Sequence, residues 1–299
     1  MSRNLIKISD LTPKDVDQII EKAFHFKNGL DEKPLDGKTV ALLFFENSTR
    51  TRYSFELAAK KLGAHVLVFN PTESSLSKGE SLEDTFSYFE SLGIDICVVR
   101  HKDEQFIEDL KSKSTFKIIN AGAGKNEHPT QALLDFMTLK ENFGDKLSQV
   151  KLSISGDIRN SRVAKSNIEL LRGRVQHIFL TGPSDFLPDK KNLYPNVSTQ
   201  DIDEIIRELD ALMYLRVQHE RHKDLVFNTE NFLRDFGLNQ KRLPLLKKET
   251  IIMHPGPVNW GVELDISVRD LTKTKISQQI TNGLFSRMAI LEWIQNDKL

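Results

Sequence analysis

Short apolar runs alternate with longer amphipathic stretches along nearly the whole chain. The runs fall at residues 39–45, 65–70, 95–100 and 117–120, then at 150–155, 175–181, 210–216 and 250–254. Each has the length of a strand rather than a helix. Several, such as Val40-Ala41-Leu42-Leu43-Phe44-Phe45 and Ile96-Cys97-Val98-Val99, show no alternation of apolar and polar positions. A strand with one wet face alternates, whereas a strand covered on both faces, as in a parallel sheet packed by helices, does not. Helical patterns lie between the runs. In the clearest, 51–62, Phe55, Ala58, Ala59 and Leu62 form an i, i+3, i+4, i+7 stripe that stops at Gly63. Strand, crossover helix and strand, repeated in this way, predict an α/β fold.

Residues 128–143 read as a long helix closed by Gly144, dividing the strands into two sets of four. A second helical stretch, 276–294, places Ile280, Leu284, Met288 and Leu291 on one face and is expected to return to the first domain. The chain is long for a single core. The expectation is therefore two doubly wound domains, each with a mostly parallel four- to five-stranded sheet flanked by helices, joined by a long connecting helix. Residues 1–130 with 276–299 form the first, 131–144 the connector and 145–275 the second. Residues 71–79, with four serines or threonines and no periodicity, read as a mobile loop.

Charge narrows the function. Lysine plus arginine and aspartate plus glutamate balance at 42 each, so no global field draws the chain to nucleic acid or an anionic membrane. No apolar run approaches the length of a membrane span, and the N-terminus lacks a signal-peptide core. Cys97, the single cysteine, sits inside an apolar run and reads as a buried packing residue. A reducing cytoplasm is the expected compartment.

The chemistry concentrates at Ser48-Thr49-Arg50-Thr51-Arg52, between a buried strand and a helix. Backbone N–H groups at a helix start are unpaired and the helix dipole favours an anion there. Hydroxyls and guanidinium forks add donors matched to phosphate oxygens. The segment reads as a phosphate cradle. The plainer alternative is a basic helix start capped by its own Ser or Thr, with Arg52 paired to Glu56 four residues on. Polar residues also recur after other predicted strands. These are Arg100; His128-Pro129-Thr130-Gln131; Arg159 and Arg162 after Ser155-Gly156-Asp157; Arg216 and Gln218; and His254. Right-handed crossovers gather strand ends on one edge of each sheet, where open α/β sheets bind ligands. A cleft so lined suits a phosphate and carboxylates, and offers no obvious covalent nucleophile. His219-Glu220-Arg221-His222 lacks the register of a zinc helix, and Gly122-Ala123-Gly124-Lys125 lacks the spacing of a nucleotide loop.

Residues 45–52 (Phe-Glu-Asn-Ser-Thr-Arg-Thr-Arg), His128-Pro129-Thr130-Gln131 and Arg216-Val217-Gln218 occur in the order and spacing of the aspartate/ornithine carbamoyltransferases, which the chain resembles from about residue 3 to its end. Within that family it is similar to the branch acting on aspartate. The ornithine branch shows His-Cys-Leu-Pro and a Ser-Met-Gly loop; this chain has His254-Pro255-Gly256-Pro257 and no Ser-Met-Gly. Arg162 and Arg216 suit two carboxylates and would repel the distal ammonium of ornithine. The alternatives are a carbamoyltransferase acting on ornithine or an acylated ornithine, and a non-catalytic homologue that binds anions.

The resemblance implies a role for each matched residue. Ser48, Thr49, Arg50 and Thr51 would hold the phosphate of carbamoyl phosphate, with Arg100 reaching phosphate and carbonyl oxygen. Thr51, Arg100 and His128 would polarise the carbonyl, forming the catalytic set with Arg50. Gln131, Pro255 and Gly256 would hold the carbamoyl NH2. Lys78, Arg162, Arg216 and Gln218 would bind L-aspartate, with Ser75 and Lys78 contributed by a neighbouring subunit of a homotrimer. No metal or organic cofactor is implied, and the reaction would be an early step of pyrimidine biosynthesis. The resemblance also leaves room for regulatory chains or a dihydroorotase-like partner beside the trimer. One position departs from the family pattern: His-Pro-x-Pro-Val-Asn usually continues with Arg, and Trp260 stands there.

Overall fold

The structure is a computed structural model that describes residues 3–70, 74, 79, 81–217 and 229–296. The chain divides into two compact units, residues 1–134 with 281–299, and residues 135–280.

The first unit holds a four-stranded parallel sheet. Its strands are β1 (Thr39–Phe44), β2 (His65–Phe69), β3 (Ile96–His101) and β4 (Lys117–Ala123), in the order β2-β1-β3-β4. Around it lie α1 (Pro13–Lys27), α2 (Thr49–Lys61), α3 (Leu82–Ser91), α4 (Gln105–Lys113) and the start of α5 (Pro129–Phe143). Alternate residues of a strand go to opposite faces. Ala41, Leu43, Cys97, Val99 and Ile118 pack on one face against Phe86 and Phe89 of α3, Ile107 and Leu110 of α4, and Phe116. Val40, Leu42, Val98 and Ile119, of the opposite parity, are equally buried. Burial on both faces is why β1, β3 and β4 carry no alternation. Burial also pushes the Cys97 thiol well up, which leaves it an inert packing group. The α2 stripe behaves as its spacing predicts, with Phe55, Ala58, Ala59 and Leu62 all buried.

The second unit holds five parallel strands, within the expected four to five and one more than the apolar runs of this half. They are β5 (Lys151–Ser155), β6 (His177–Thr181), β7 (Val197–Thr199), β8 (Ala211–Tyr214) and β9 (Ile251–Met253), in the order β7-β6-β5-β8-β9. The unexpected member is β7, whose Val-Ser-Thr has one apolar residue and no pattern to read. Pairing with β6 at the sheet edge (Ile178 opposite Val197, Leu180 opposite Thr199) makes it a strand. Helices α6 (Arg162–Leu171), α7 (Ile202–Ile205) and α8 (Thr229–Asp235) belong to this unit. Its core joins Ile202, Ile205, Ile206 and Leu209 to Leu212, Tyr214 and Ile252 of the sheet, and the half-buried Trp260 packs against it. Buried Arg242 grips Asp203 with two bonds of 2.6 and 2.7 Å and also donates to the carbonyls of Arg234, Asp235 and Gly237.

The chain passes between units inside α5 and inside α9 (Ile276–Gln295). The single apolar face expected for α9 needs correction. Ile280 is 59% exposed, whereas Gln279, Asn282, Ser286 and Arg287 are buried. A helix covered around most of its circumference accepts polar residues wherever partners exist. Asn282 receives Lys27 Nζ at 2.8 Å, and Arg287 donates to the Gly283 carbonyl while its guanidinium lies over Phe55. The mobile loop expected at 71–79 lies outside the described residues except for Ser74 and Gly79. Ser75, Lys78, Gln218 and the segment His219–His222 lie outside them as well. Among the described residues no helix is long and apolar enough to cross a membrane.

Candidate active site

In the first unit, the polar segments gather where β1, β3 and β4 end. Phe44 stands opposite Arg100 in the β1–β3 register, and Phe45 N–H donates to the Arg100 carbonyl at 2.9 Å. The chain then turns through Glu46 and Asn47 into α2. Thr51 is buried in the first turn of that helix, and Thr49 and Arg50 are exposed. The Ser48 hydroxyl makes no cap hydrogen bond to the first turn. The ordinary capped start considered from the sequence is therefore not what forms. Arg100 instead donates to Ser48 Oγ from Nη1 at 3.5 Å and to Glu46 Oε2 from Nε at 3.1 Å. The Glu46 carboxylate thus orients Arg100 beside the hydroxyl at the head of α2.

The alternative pairing of Arg52 also fails. Glu56 pairs with Lys60 at 2.6 Å, while the Arg52 guanidinium lies over Tyr53, 4.9 Å from its centroid, and bonds its hydroxyl. At the end of β4, Ala123 N–H donates to the Glu127 carbonyl at 3.0 Å, which brings the following His128 to the same sheet edge. Pro129 then opens α5 with its fixed φ at a position needing no N–H. His128 and Gln131 are buried, and His128 Nδ1 lies 3.4 Å from Thr130 Oγ1. Ser48, Thr49, Arg50, Thr51, Arg100, His128 and Gln131 thus stand on one edge of one sheet.

In the second unit, the ends of β5, β8 and β9 are neighbours. Gly156 follows β5 with φ +128°, and a Cβ there would meet the Leu215 carbonyl oxygen at 3.1 Å, so the close passage of the two strand ends needs glycine. Ser161 caps α6 by accepting Ala164 N–H at 3.2 Å, which puts Arg162 in its first turn. Arg216 and Val217 follow β8, and His254, Pro255 and Gly256 follow β9. Arg162 and Arg216 are half-buried. Arg159 is turned to other work, since its Nε donates to the Leu187 carbonyl at 3.0 Å.

Glu263 belongs to none of the sequence motifs. It has no exposed surface, yet its Oε1 accepts Val217 N–H at 2.7 Å and Asn259 Nδ2 at 3.0 Å, and its Oε2 accepts Asn259 N–H at 2.8 Å. His254 Nε2 lies 3.9 Å from the same carboxyl. Burial outweighs these donors and raises the Glu263 pKa to about 7. The carboxyl braces the segments after β8 and β9 from beneath. The readable signal was a lone acid inside Gly-Val-Glu-Leu, an otherwise apolar stretch.

Two parallel α/β sheets, one edged by an uncapped helix start with hydroxyls and arginine and the other by half-buried arginines, make an α/β protein whose strand ends carry groups suited to anions. Comparison makes this specific. Residues 3–141 match the family model "Aspartate/ornithine carbamoyltransferase, carbamoyl-P binding domain", and residues 148–294 match "Aspartate/ornithine carbamoyltransferase, Asp/Orn binding domain". The chain belongs to the aspartate/ornithine carbamoyltransferase family. It is 43% identical to an aspartate carbamoyltransferase catalytic subunit of Streptococcus pyogenes serotype M4, over 99% of this chain and 95% of that protein. Among solved structures it resembles Trypanosoma cruzi aspartate transcarbamoylase in complex with carbamoyl phosphate (TM-score 0.89, 31% identity, 97% and 95% of the two chains). It also resembles the same enzyme in complex with N-(phosphonacetyl)-L-aspartic acid (TM-score 0.86, 31% identity, 97% and 94%).

Proposed function

We propose that the protein is an aspartate carbamoyltransferase, transferring the carbamoyl group of carbamoyl phosphate to the amine of L-aspartate to give N-carbamoyl-L-aspartate and phosphate. The observation that carries this reading is the head of α2. Its first turn lacks a side-chain cap, carries Thr49, Arg50 and Thr51, and has Arg100 braced by Glu46 beside Ser48. Ser48, Thr49, Arg50 and Thr51 bind the phosphate. Thr51, Arg100 and His128 polarise the carbonyl, and Gln131, Pro255 and Gly256 hold the carbamoyl NH2. Arg162 and Arg216 bind the two carboxylates of aspartate, together with Gln218 and with Lys78 of a neighbouring subunit, which Ser75 accompanies.

The deprotonated amine attacks the carbonyl carbon, a tetrahedral oxyanion forms, and phosphate leaves with the C–O bonding pair and takes the proton released by the attacking nitrogen. Each fixed donor aimed at that oxyanion contributes about 2.7–4 kcal/mol of transition-state stabilisation. Alignment of two bound substrates contributes an entropic part.

The domain roles follow the same reading, with residues 1–130 plus 276–299 binding carbamoyl phosphate and 145–275 binding aspartate. The enzyme acts as a cytoplasmic homotrimer in pyrimidine biosynthesis. Support for self-association comes from exposed apolar side chains on the first unit. Tyr53 and Leu57 lie on α2, Leu67 and Val68 on the edge strand β2, and Tyr88 and Leu92 at α3. Such side chains in number mark association surfaces. Incubation of the purified protein with carbamoyl phosphate and either aspartate, ornithine or N-acetylornithine tests the proposal. Phosphate release with aspartate is expected; turnover with an ornithine and none with aspartate would overturn it.

A further inference from the structure

The unit of residues 135–280 contains a buried polar chain that the substrate roles above do not use. Asp135, on α5 and without exposed surface, accepts Asn167 Nδ2 at 2.9 Å through one carboxyl oxygen and Gln279 Nε2 at 2.8 Å through the other. The Gln279 carbonyl oxygen in turn accepts the backbone N–H of His254 at 2.8 Å. His254 Nδ1 accepts the backbone N–H of Gly256 at 2.8 Å. On the other side, Asn167 Nδ2 also donates at 3.0 Å to the carbonyl of Val163, next to Arg162 in the first turn of α6.

A carboxylate only accepts, so both amides must present NH2 to it. The Gln279 carbonyl then necessarily turns away from Asp135, toward the His254 N–H. Reversing the amide would set NH2 against N–H in a buried site, where an unmade hydrogen bond is costly. The carboxylate therefore fixes the direction of the whole chain, not merely one contact.

We infer that Asp135 is a positioning residue for carbamoyl transfer, fixing the His254–Gly256 turn through Gln279 and the Arg162 turn of α6 through Asn167. The inference rests on the proposed function in taking Pro255, Gly256 and Arg162 as substrate-binding. Nothing in it requires Asp135 to touch a substrate.

The test uses the full chain. Asp135→Asn keeps shape but lets the Gln279 amide reverse, and kcat for carbamoylation of aspartate is expected to fall about 10–100-fold, the scale of a small misplacement. Binding of inorganic phosphate, measured by calorimetry, stays at the wild-type value. Adding Gln279→Glu to Asp135→Asn restores the direction, because the introduced amide can donate to the new carboxylate, which still accepts from His254 N–H. The double variant is therefore expected to recover most of kcat. Hydrogen exchange of the His254 and Gly256 amides, both hydrogen-bonded in the structure, is expected to be slow in the wild type, to quicken in the single variant and to slow again in the double. Gln279→Met, which leaves the Asp135–Asn167 bond in place, covers the case in which Asp135→Asn does not fold, and it too should lower kcat with phosphate binding unchanged. Folded single variants with wild-type kcat and exchange would overturn the inference, as would a double variant no better than Asp135→Asn. A wild type inactive with aspartate would defeat the proposed function alone, since the exchange measurements still decide the relay.

Discussion

Glu263 gives the structure's sharpest dependence on pH. The folded protein raises this carboxyl from the ordinary 4.5 to about 7, chiefly by burial. Between those values the native state holds a proton that the unfolded chain has lost. The contribution of Glu263 to native stability therefore falls as pH rises through this window, the reverse of the usual salt-bridged carboxylate. At 1.36 kcal/mol per unit, the loss amounts to about 3 kcal/mol by pH 8. Glu263→Gln removes the titration. The glutamine carbonyl can still accept Val217 N–H and Asn259 Nδ2, but its NH2 replaces the oxygen that accepts Asn259 N–H. That mismatch costs about 1–3 kcal/mol at every pH. The variant should therefore be less stable than wild type at pH 5 and equal or better at pH 8, in urea unfolding followed by circular dichroism. Other carboxylates titrate alike in both proteins and cancel in the difference. A difference between the two that stays flat from pH 5 to 8 would refute the reasoning.

Other outcomes follow from single contacts. Arg50→Ala should weaken phosphate binding roughly 10–100-fold and remove most turnover, with an unchanged circular dichroism spectrum. Arg162→Ala should raise KM for aspartate while leaving phosphate affinity as it was, which separates the two half-sites kinetically. Arg242→Ala orphans the carbonyls of Arg234, Asp235 and Gly237 and should cost about 1–3 kcal/mol in urea unfolding. Phe55→Ala opens a cavity under α2 and should cost about 3–5 kcal/mol, read as an earlier unfolding midpoint.

Eight of the nine described strands were legible as short apolar runs: Val40–Phe44 and Ile96–Val99, covered on both faces, can be little else, and the edge strand β2 keeps its run although Leu67 and Val68 are exposed. β7 was not, because its pairing with β6 and not its own three residues makes it a strand. The stripe of α2 could be read because that helix buries one side. The single face assigned to α9 misled because the helix is covered on several sides and carries Gln279, Asn282 and Arg287 inward among partners. The head of α2 was visible as a string of hydroxyls and guanidiniums after a buried strand. What braces it was not. Glu46 meets Arg100 across 54 positions of sequence, and Asp135 meets Gln279 across 144, distances over which no local pattern informs. A charge inside an apolar stretch, as at Leu134-Asp135-Phe136 or Val262-Glu263-Leu264, is the one sign such residues leave.

The central claim is that hydroxyls, backbone N–H groups and two arginines at the head of α2 grip the phosphate of carbamoyl phosphate. A crystal of the protein grown with carbamoyl phosphate tests this most directly. Phosphate density is expected against Ser48, Thr49, Arg50 and Thr51, with Arg100 turned onto it. Density bound elsewhere, with these four residues untouched, would contradict it.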